Sequence, residues 1–256
     1  MKFYFSCSLS KKFFKLLYQE GVRNFLVSFG TNAKIFSPIL QEYKDLSVII
    51  DSGAFSAWNH GKVIDIKAYV HFAKNLPKDW IKVSLDVIPK TGSTSQEIEK
   101  CCDASVENFL FLQKELKEGV LPVFHYGENF KYLRKYLDYT NYVGLSPAND
   151  TMEKTKREFL TKCFKFLGTK VKTHGFGYSS FGGLTLFPFY SCDSISPIRW
   201  QSLPYTTHSV SDVPVGSTLS VEDFRFLFTV NINIFLRYQE FNTELWRKRG
   251  IFCKGE

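Results

Sequence analysis

Short strand-like segments alternate with helix-like segments along most of the chain, and this alternation restricts the possible folds more than any other feature. The strand segments are apolar runs or apolar–polar alternations, predicted at residues 2–6, 24–29, 47–51, 80–86, 120–125, 141–145, 170–174 and 189–193. Helices are predicted at residues 10–20, 32–43 (with a break at Pro38), 65–75, 95–117, 129–137, 151–167, 181–186 and 220–239. Eight strands separated by helices in 256 residues predict an α/β fold, a (β/α)8 TIM barrel. A doubly wound open sheet is the alternative.

The predicted single domain spans residues 1–256, and residues 205–256 are interpreted as its helical, basic C-terminal extension. A polar stretch with several prolines, at residues 194–217, precedes the last helix. It is interpreted either as an active-site loop or as a disordered excursion.

Charge and cysteine content indicate the class of partner and the compartment. The chain has 33 Lys and Arg against 25 Asp and Glu, a net charge of +8. This excess favours an anionic partner, nucleic acid first, although ordinary solubility explains it as well. The six cysteines form no CxxC pair, which favours a reducing, cytoplasmic location without a disulfide framework. No signal peptide and no membrane-spanning apolar run are expected, so no membrane partner is predicted.

Polar side chains end most of the predicted strands. The segment from Val48 to Ile50 is β-branched, and Asp51, Ser52 and Gly53 follow it directly. In a barrel of parallel strands, all carboxyl ends face one pocket. That pocket would hold Asp51, Asp86, His125, Gly144, His174, Gly175 and Asp193. Three aspartates at one pocket predict acid–base chemistry, a nucleophile or a metal site, because like charges raise one another's pKa values.

Two chemistries fit this set of residues. In the first, one carboxylate attacks the anomeric carbon of a sugar while a second moves protons, as in a double displacement. In the second, His125, His174 and Asp193 hold a divalent metal that activates water. The first strand lacks a His-x-His pair, which disfavours the metal. Each histidine alone could equally be a packing or hydrogen-bonding residue.

The order of these motifs resembles the tRNA-guanine transglycosylase superfamily, and most closely the DNA-guanine transglycosylases of 7-deazaguanine DNA modification in bacteria and phages. The resemblance covers most of residues 47–200. It is carried by Asp51-Ser52-Gly53-Ala54-Phe55-Ser56, Leu85-Asp86-Val87-Ile88-Pro89, Tyr142-Val143-Gly144-Leu145-Ser146, His174-Gly175-Phe176-Gly177 and Tyr190-Ser191-Cys192-Asp193-Ser194.

The resemblance implies a role for each aspartate. Asp193 would be the nucleophile that attacks C1′ of a guanosine or deoxyguanosine and expels guanine. Asp51 would be the general acid and base, and Asp86 would hydrogen-bond the guanine-like edge of the base. Other base-site residues would be Ser52, Gly53, His125, Gly144, His174, Gly175 and Phe176, with Phe176 or Tyr178 as a stacking surface.

The same resemblance implies partners. The polymer would be DNA, with tRNA as the alternative, and the incoming base a 7-deazaguanine with a cyano, amidino or aminomethyl substituent. A basic rim would hold the flanking phosphates, and its candidates are Lys11, Lys12, Arg199, Arg247, Lys248 and Arg249. The tRNA enzymes carry a zinc site of three cysteines and a histidine after the nucleophile. Here only Cys253 follows Cys192, so no zinc and no other cofactor are predicted.

Other functions stay open at this point. A tRNA-guanine transglycosylase would share the mechanism but not the polymer. A barrel metal-dependent hydrolase would use the two histidines with Asp193. A nucleic-acid-binding barrel without catalysis would need none of these groups for activity.

Overall fold

The structure, a computed structural model, describes residues 1–6, 11–90, 92–117, 119–148, 151–194 and 221–251. The strands in these residues are all hydrogen-bonded in parallel, in the spatial order β5-β4-β3-β2-β1-β9-β8-β7-β6. They are β1 (Lys2–Ser6), β2 (Asn24–Ser28), β3 (Ser47–Asp51), β4 (Ile81–Val83), β5 (Val120–Leu121), β6 (Val123–His125), β7 (Tyr142–Ser146), β8 (Lys172–Gly175) and β9 (Ser191–Ser194). The sheet forms a nearly closed barrel, so the predicted TIM-barrel-like α/β fold is confirmed.

Pro122 divides the predicted strand at residues 120–125 into β5 and β6. The residues before it pair with β4, and the residues after it pair with β7. Proline has no N–H to donate to a strand ladder, which explains the interruption. Its carbonyl still accepts a hydrogen bond from the Gly144 N–H at 2.8 Å. The described part of the barrel therefore has nine strands instead of the predicted eight. The difference arises because β5 and β6 together form the stretch that was predicted as one strand.

Helices connect nearly all of the strands. They are α1 (Lys11–Gln19), α2 (Ala33–Gln41), α3 (Ala54–Asn59), α4 (Ile66–Lys74), α5 (Ser95–Leu116), α6 (Phe130–Leu137), α7 (Glu153–Leu167), α8 (Phe181–Leu184) and α9 (Val221–Lys248). The side chains of Asp65 and Asn129 cap α4 and α6 by accepting hydrogen bonds from backbone N–H groups. Helix α2 continues through Pro38, where a break was expected, because buried Phe36 and Leu40 hold its turns against the barrel.

The six-residue helix α3 was not predicted. It begins directly after Gly53, which lies in the left-handed region with a φ of +86°. The ideal Cβ position of Gly53 lies only 2.6 Å from the backbone nitrogen of Gly30, so no larger residue fits without a shift. This close backbone contact turns the chain sharply from β3 into α3, just after Asp51.

Apolar side chains fill both sides of the barrel wall. The interior contains a small cluster of side chains from successive strands: Tyr4, Leu26, Ile49, Val83, Leu121 and Val123. A larger, aromatic-rich cluster packs the outer face of the strands against the helices. The interior cluster fills part of the barrel below the carboxyl ends of the strands, and buried polar side chains such as His174 and Ser191 lie beside it.

Helix α9 is longer than the predicted helix at 220–239, and it packs against β1. The Gln239 carboxamide oxygen accepts hydrogen bonds from the Phe3 backbone N–H and from the Asn24 side chain. Thr243 contacts Met1, so the last turns of α9 lie at the amino-terminal ends of the strands. Within the described parts of the chain, no helix combines the length and the apolar character needed to cross a membrane.

Candidate active site

Asp51, Asp86 and Asp193 all lie at the carboxyl-terminal side of the barrel. Asp51 is the last residue of β3, Asp86 follows β4 by three residues, and Asp193 lies in β9. Burial raises the pKa of Asp51 to about 6, and the negative charges of Asp86 and Asp193 contribute to the increase. The nearby Ser28 side chain and a hydrogen bond from the Gly53 N–H oppose the increase. The three predicted carboxylates therefore lie close enough to interact electrostatically.

Asp193 makes hydrogen-bond contacts with three groups. Its Oδ1 accepts from the Gly177 backbone N–H at 2.9 Å and contacts His174 Nε2 at 3.3 Å. Its Oδ2 accepts from the Ser6 hydroxyl at 2.6 Å. Only 11% of its side chain is exposed. The carboxyl group is thus nearly buried, and these contacts fix its orientation.

His174 is fully buried, and both of its ring nitrogens are already hydrogen-bonded. Nδ1 contacts the Ser191 hydroxyl at 2.7 Å, and that hydroxyl contacts the Tyr142 hydroxyl at 2.6 Å. Nε2 faces Asp193, as described above. The resemblance implied that His174 would line the base pocket, but this geometry directs Nε2 to Asp193 and Nδ1 to Ser191.

Phe176 fills the space that Gly144 leaves open. A Cβ at Gly144 would lie 2.4 Å from Cε2 of the Phe176 ring. The ring also meets His174 edge-on, with the centroids 4.4 Å apart. The implied role of Gly144 was to bring its backbone close to a base. In the structure, the absence of a side chain at Gly144 instead accommodates Phe176.

Gly175 and Tyr178 contact the outer side of the barrel, where the strands pack against the helices. A Cβ at Gly175 would lie 3.1 Å from the Phe189 ring. Tyr178 is buried, and its hydroxyl donates to Glu153 at the start of α7. Of the two expected stacking residues, only Phe176 lies in the barrel interior cluster. The expectation for Tyr178 is wrong because its ring is part of the outer core.

His125 lies between two carboxylates. Its Nε2 is 3.4 Å from Asp86 Oδ2, and its Nδ1 is 3.0 Å from Glu128 Oε1. Burial lowers the pKa of His125, but Asp86 and Glu128 outweigh burial and raise it to about 10. Burial raises the pKa of Asp86, and His125 opposes that increase. His125 is thus a half-buried side chain that bridges Asp86 and Glu128 and holds Asp86 at the rim.

Ser52 and Gly53 form the turn between Asp51 and α3. Ser52 is buried, and the Gly53 N–H donates to Asp51 Oδ2 at 3.0 Å. The Gly53 N–H therefore fixes the orientation of the carboxylate that precedes it. Two aromatic side chains of α3, Phe55 and Trp58, lie on the surface as a stacked pair with centroids 6.1 Å apart.

The residues proposed for a metal site do not converge. His125 contacts Asp86 and Glu128, whereas His174 contacts Asp193 and Ser191. Among the residues that the structure describes, no group of three or more His, Cys, Asp or Glu could hold a metal ion. Within the described parts of the chain, His125, His174 and Asp193 therefore do not form the shared site that a barrel metal-dependent hydrolase would use.

The structure describes only some of the residues of the candidate basic rim. Arg199 lies outside the described residues, and for Lys11 and Lys12 only the backbone at the start of α1 is described. Arg247 and Lys248 end α9, and Arg249 donates to the Thr185 carbonyl after α8. Because this end of α9 lies at the amino-terminal ends of the strands, the structure does not bring these three residues together with the carboxylates.

Sequence reasoning missed the polar residues that orient Asp193. Ser6 and Ser191 were not singled out, and Tyr142 appeared only as part of a motif. A usable signal was the period of two along the strands, which places Ser191 on the same face as Asp193 and Ser6 on the same face as Tyr4. No protein-family model matches the chain, and no curated protein sequence matches it significantly. The residue roles therefore rest on this geometry and on the motif resemblance.

Proposed function

We propose that the protein is a base-exchange transglycosylase that replaces guanine in DNA with a 7-deazaguanine base. The observation that carries the proposal is the pairing of two different carboxylates at one rim. Asp193 is held by contacts with Ser6, His174 and Gly177, whereas Asp51 has a pKa raised to about 6. Carboxylates in contrasting environments suit the roles of nucleophile and proton carrier.

Asp193 acts as the nucleophile. Oδ1 is contacted by two groups, Gly177 and His174, and Oδ2 has a single rotatable hydroxyl partner, so Oδ2 is the oxygen with lone pairs available. It forms a bond to C1′ of the target deoxyguanosine while the bond from C1′ to N9 breaks. The electron pair leaves with guanine, and a covalent glycosyl ester remains on Asp193.

Asp51 moves the protons. In its protonated form it gives a proton to the departing guanine, and as a carboxylate it then accepts the N9 proton of the incoming base. That base attacks C1′, and the electron pair of the C1′–Oδ2 bond returns to Asp193. A carboxyl group with a pKa of about 6 exchanges protons readily near neutral pH.

Asp86 and His125 support recognition of the base. The guanine edge presents N–H donors, and Asp86 is a carboxylate acceptor held at the rim by His125. A purine in a duplex does not expose C1′ to a buried carboxylate, so the nucleotide has to be flipped out. The net charge of +8 favours a polyanionic substrate.

Covalent trapping tests this function. The protein is incubated with guanine-containing DNA or with tRNA, and adducts are detected on denaturing gels and by intact mass. An adduct on DNA that is absent in Asp193→Asn and is discharged by 7-cyano-7-deazaguanine supports the proposal. Asp138→Asn, which changes an exposed aspartate after α6, is the matched control and keeps the adduct.

Two other outcomes revise the proposal. An adduct on tRNA alone keeps the mechanism and replaces the polymer. The absence of any adduct from wild-type protein with either polymer, at every pH between 5 and 8, contradicts the double displacement.

A further inference from the structure

Four side chains inside the barrel form one continuous hydrogen-bonded chain. It runs from the Tyr142 hydroxyl to Ser191 Oγ, from Ser191 Oγ to His174 Nδ1, and from His174 Nε2 to Asp193 Oδ1. Ser191 and His174 are completely buried. Each polar atom inside the chain therefore depends on its neighbours for hydrogen bonding.

The Tyr142 hydroxyl, at one end of this chain, determines which atom donates in each of the hydrogen bonds. Burial raises the pKa of Tyr142 well above its usual value, so the hydroxyl keeps its proton. Within the described residues, its hydroxyl has one hydrogen-bond partner, Ser191. Tyr142 therefore donates to Ser191, because the reverse direction would leave the phenolic proton without an acceptor.

The remaining protons are then determined. Ser191 uses its lone pairs for Tyr142 and directs its own proton to His174 Nδ1. A nitrogen that accepts a hydrogen bond carries no proton, so the ring is neutral and its proton lies on Nε2. That N–H points at Asp193 Oδ1.

We infer that Tyr142, Ser191 and His174 are positioning residues, which present a fixed Nε2–H donor to Asp193 and orient it for attack. This inference rests on the proposed function for its catalytic consequence, but the proton arrangement itself does not. Packing supports it, because the imidazole is held between the rings of Tyr4 and Phe176 at centroid distances of 5.9 and 4.4 Å. The ring nitrogens therefore keep their partners throughout the reaction.

The proton arrangement is measured first, by 15N NMR of the histidine rings. The chain has five histidines, and the signals of His174 are those missing from the His174→Gln spectrum. The expected pattern at neutral pH is a neutral ring protonated at Nε2. Ser191→Ala and Tyr142→Phe should move the His174 signals. Tyr4→Phe should leave their tautomer pattern unchanged, because the Tyr4 hydroxyl contacts Ser47 instead of the chain.

The catalytic consequence is measured with two substitutions of His174. The amide nitrogen of Gln can replace Nε2, whereas the shorter Asn reaches only the Nδ1 position. His174→Gln should keep the rate of adduct formation within about tenfold of wild type, and His174→Asn should lose about 100-fold in kcat with KM little changed. Thermal unfolding of both variants shows whether they fold.

The outcomes separate the two proposals. A His174 ring protonated on Nδ1 or on both nitrogens overturns the inference, as does equal activity of the Gln and Asn variants. If wild-type protein forms no adduct with any polymer while the Nε2–H pattern is observed, the proposed function fails and the proton arrangement stands.

Discussion

Gly53 and Gly30 touch through their backbones, with the ideal Cβ position of Gly53 only 2.6 Å from the Gly30 nitrogen. This contact places α3 directly after Asp51. It also lets the Gly53 N–H bond the Asp51 carboxylate at 3.0 Å. The turn that orients the proposed proton carrier therefore depends on two residues without side chains.

Gly53→Ala should destabilise the protein by at least about 2 kcal/mol, because it adds a steric clash to left-handed backbone strain. Gly61→Ala is the control, since Gly61 also has a positive φ but nothing lies within 4 Å of its ideal Cβ. That control should lose only about 1 kcal/mol. The free energy of unfolding in urea measures both, and equal losses would show that the contact with Gly30 is unimportant.

Asp51 should make the protein less stable as the pH rises from about 4 to about 6. Its pKa is about 6 in the fold and 3.8 in the unfolded chain, so the folded state binds more protons in this window. Asp51→Asn should remove this part of the pH dependence and raise the free energy of unfolding above pH 6 by roughly 3 kcal/mol. The measurement is the free energy of unfolding in urea from pH 4 to pH 8. Asp138→Asn is the control, and its pH profile should follow that of the wild type.

His125 should also make the protein less stable as the pH rises, but in a higher pH range. Its pKa is raised from 6.5 to about 10, so its ion pairs stabilise the fold fully below pH 6.5 and less as the pH rises towards 10. His125→Gln should lower stability at pH 6 and flatten the curve between pH 6.5 and 10. The exposed His71 provides the control substitution, His71→Gln. If His125→Gln retains the wild-type slope over that range, the imidazolium between Asp86 and Glu128 is ruled out.

Gln239→Ala should weaken the attachment of α9 to the barrel. The substitution removes the acceptor of the Phe3 N–H at 2.7 Å and of the Asn24 side chain at 3.2 Å. A buried N–H left without a partner costs about 1–3 kcal/mol. Thermal unfolding should show this loss, whereas Glu240→Ala, at an exposed position of the same helix, should stay close to wild type.

Local sequence signals predicted most elements of the barrel. The strand at residues 47–51 was predicted with the bounds of β3, and the predicted starts at Asp65 and Asn129 are the capping residues of α4 and α6. Helix α3 was not predicted because its six residues are too few to show a helical period. Its start also depends on the contact between Gly53 and Gly30.

The sequence predicted which residues lie at the site better than it predicted their contacts with one another. Alternation along the strands located Asp51, Asp86 and Asp193 at one rim, because the carboxyl ends of parallel strands share a face. The partners of Asp193 could not be derived in this way. Ser6 lies 187 residues from Asp193 in sequence, and the choice between Phe176 and Tyr178 depends on which side of the wall each ring packs.

Pro122 has a consequence for how the site is held together. It separates the ring of strands into one arc from β1 to β5 and another from β6 to β9, and the two arcs share the hydrogen-bonded ladder between β1 and β9. Asp51 belongs to the first arc and Asp193 to the second. Because Pro122 interrupts the ring on the other side, the spacing between the proposed proton carrier and the proposed nucleophile depends on the three ladders that join β3 to β2, β2 to β1 and β1 to β9.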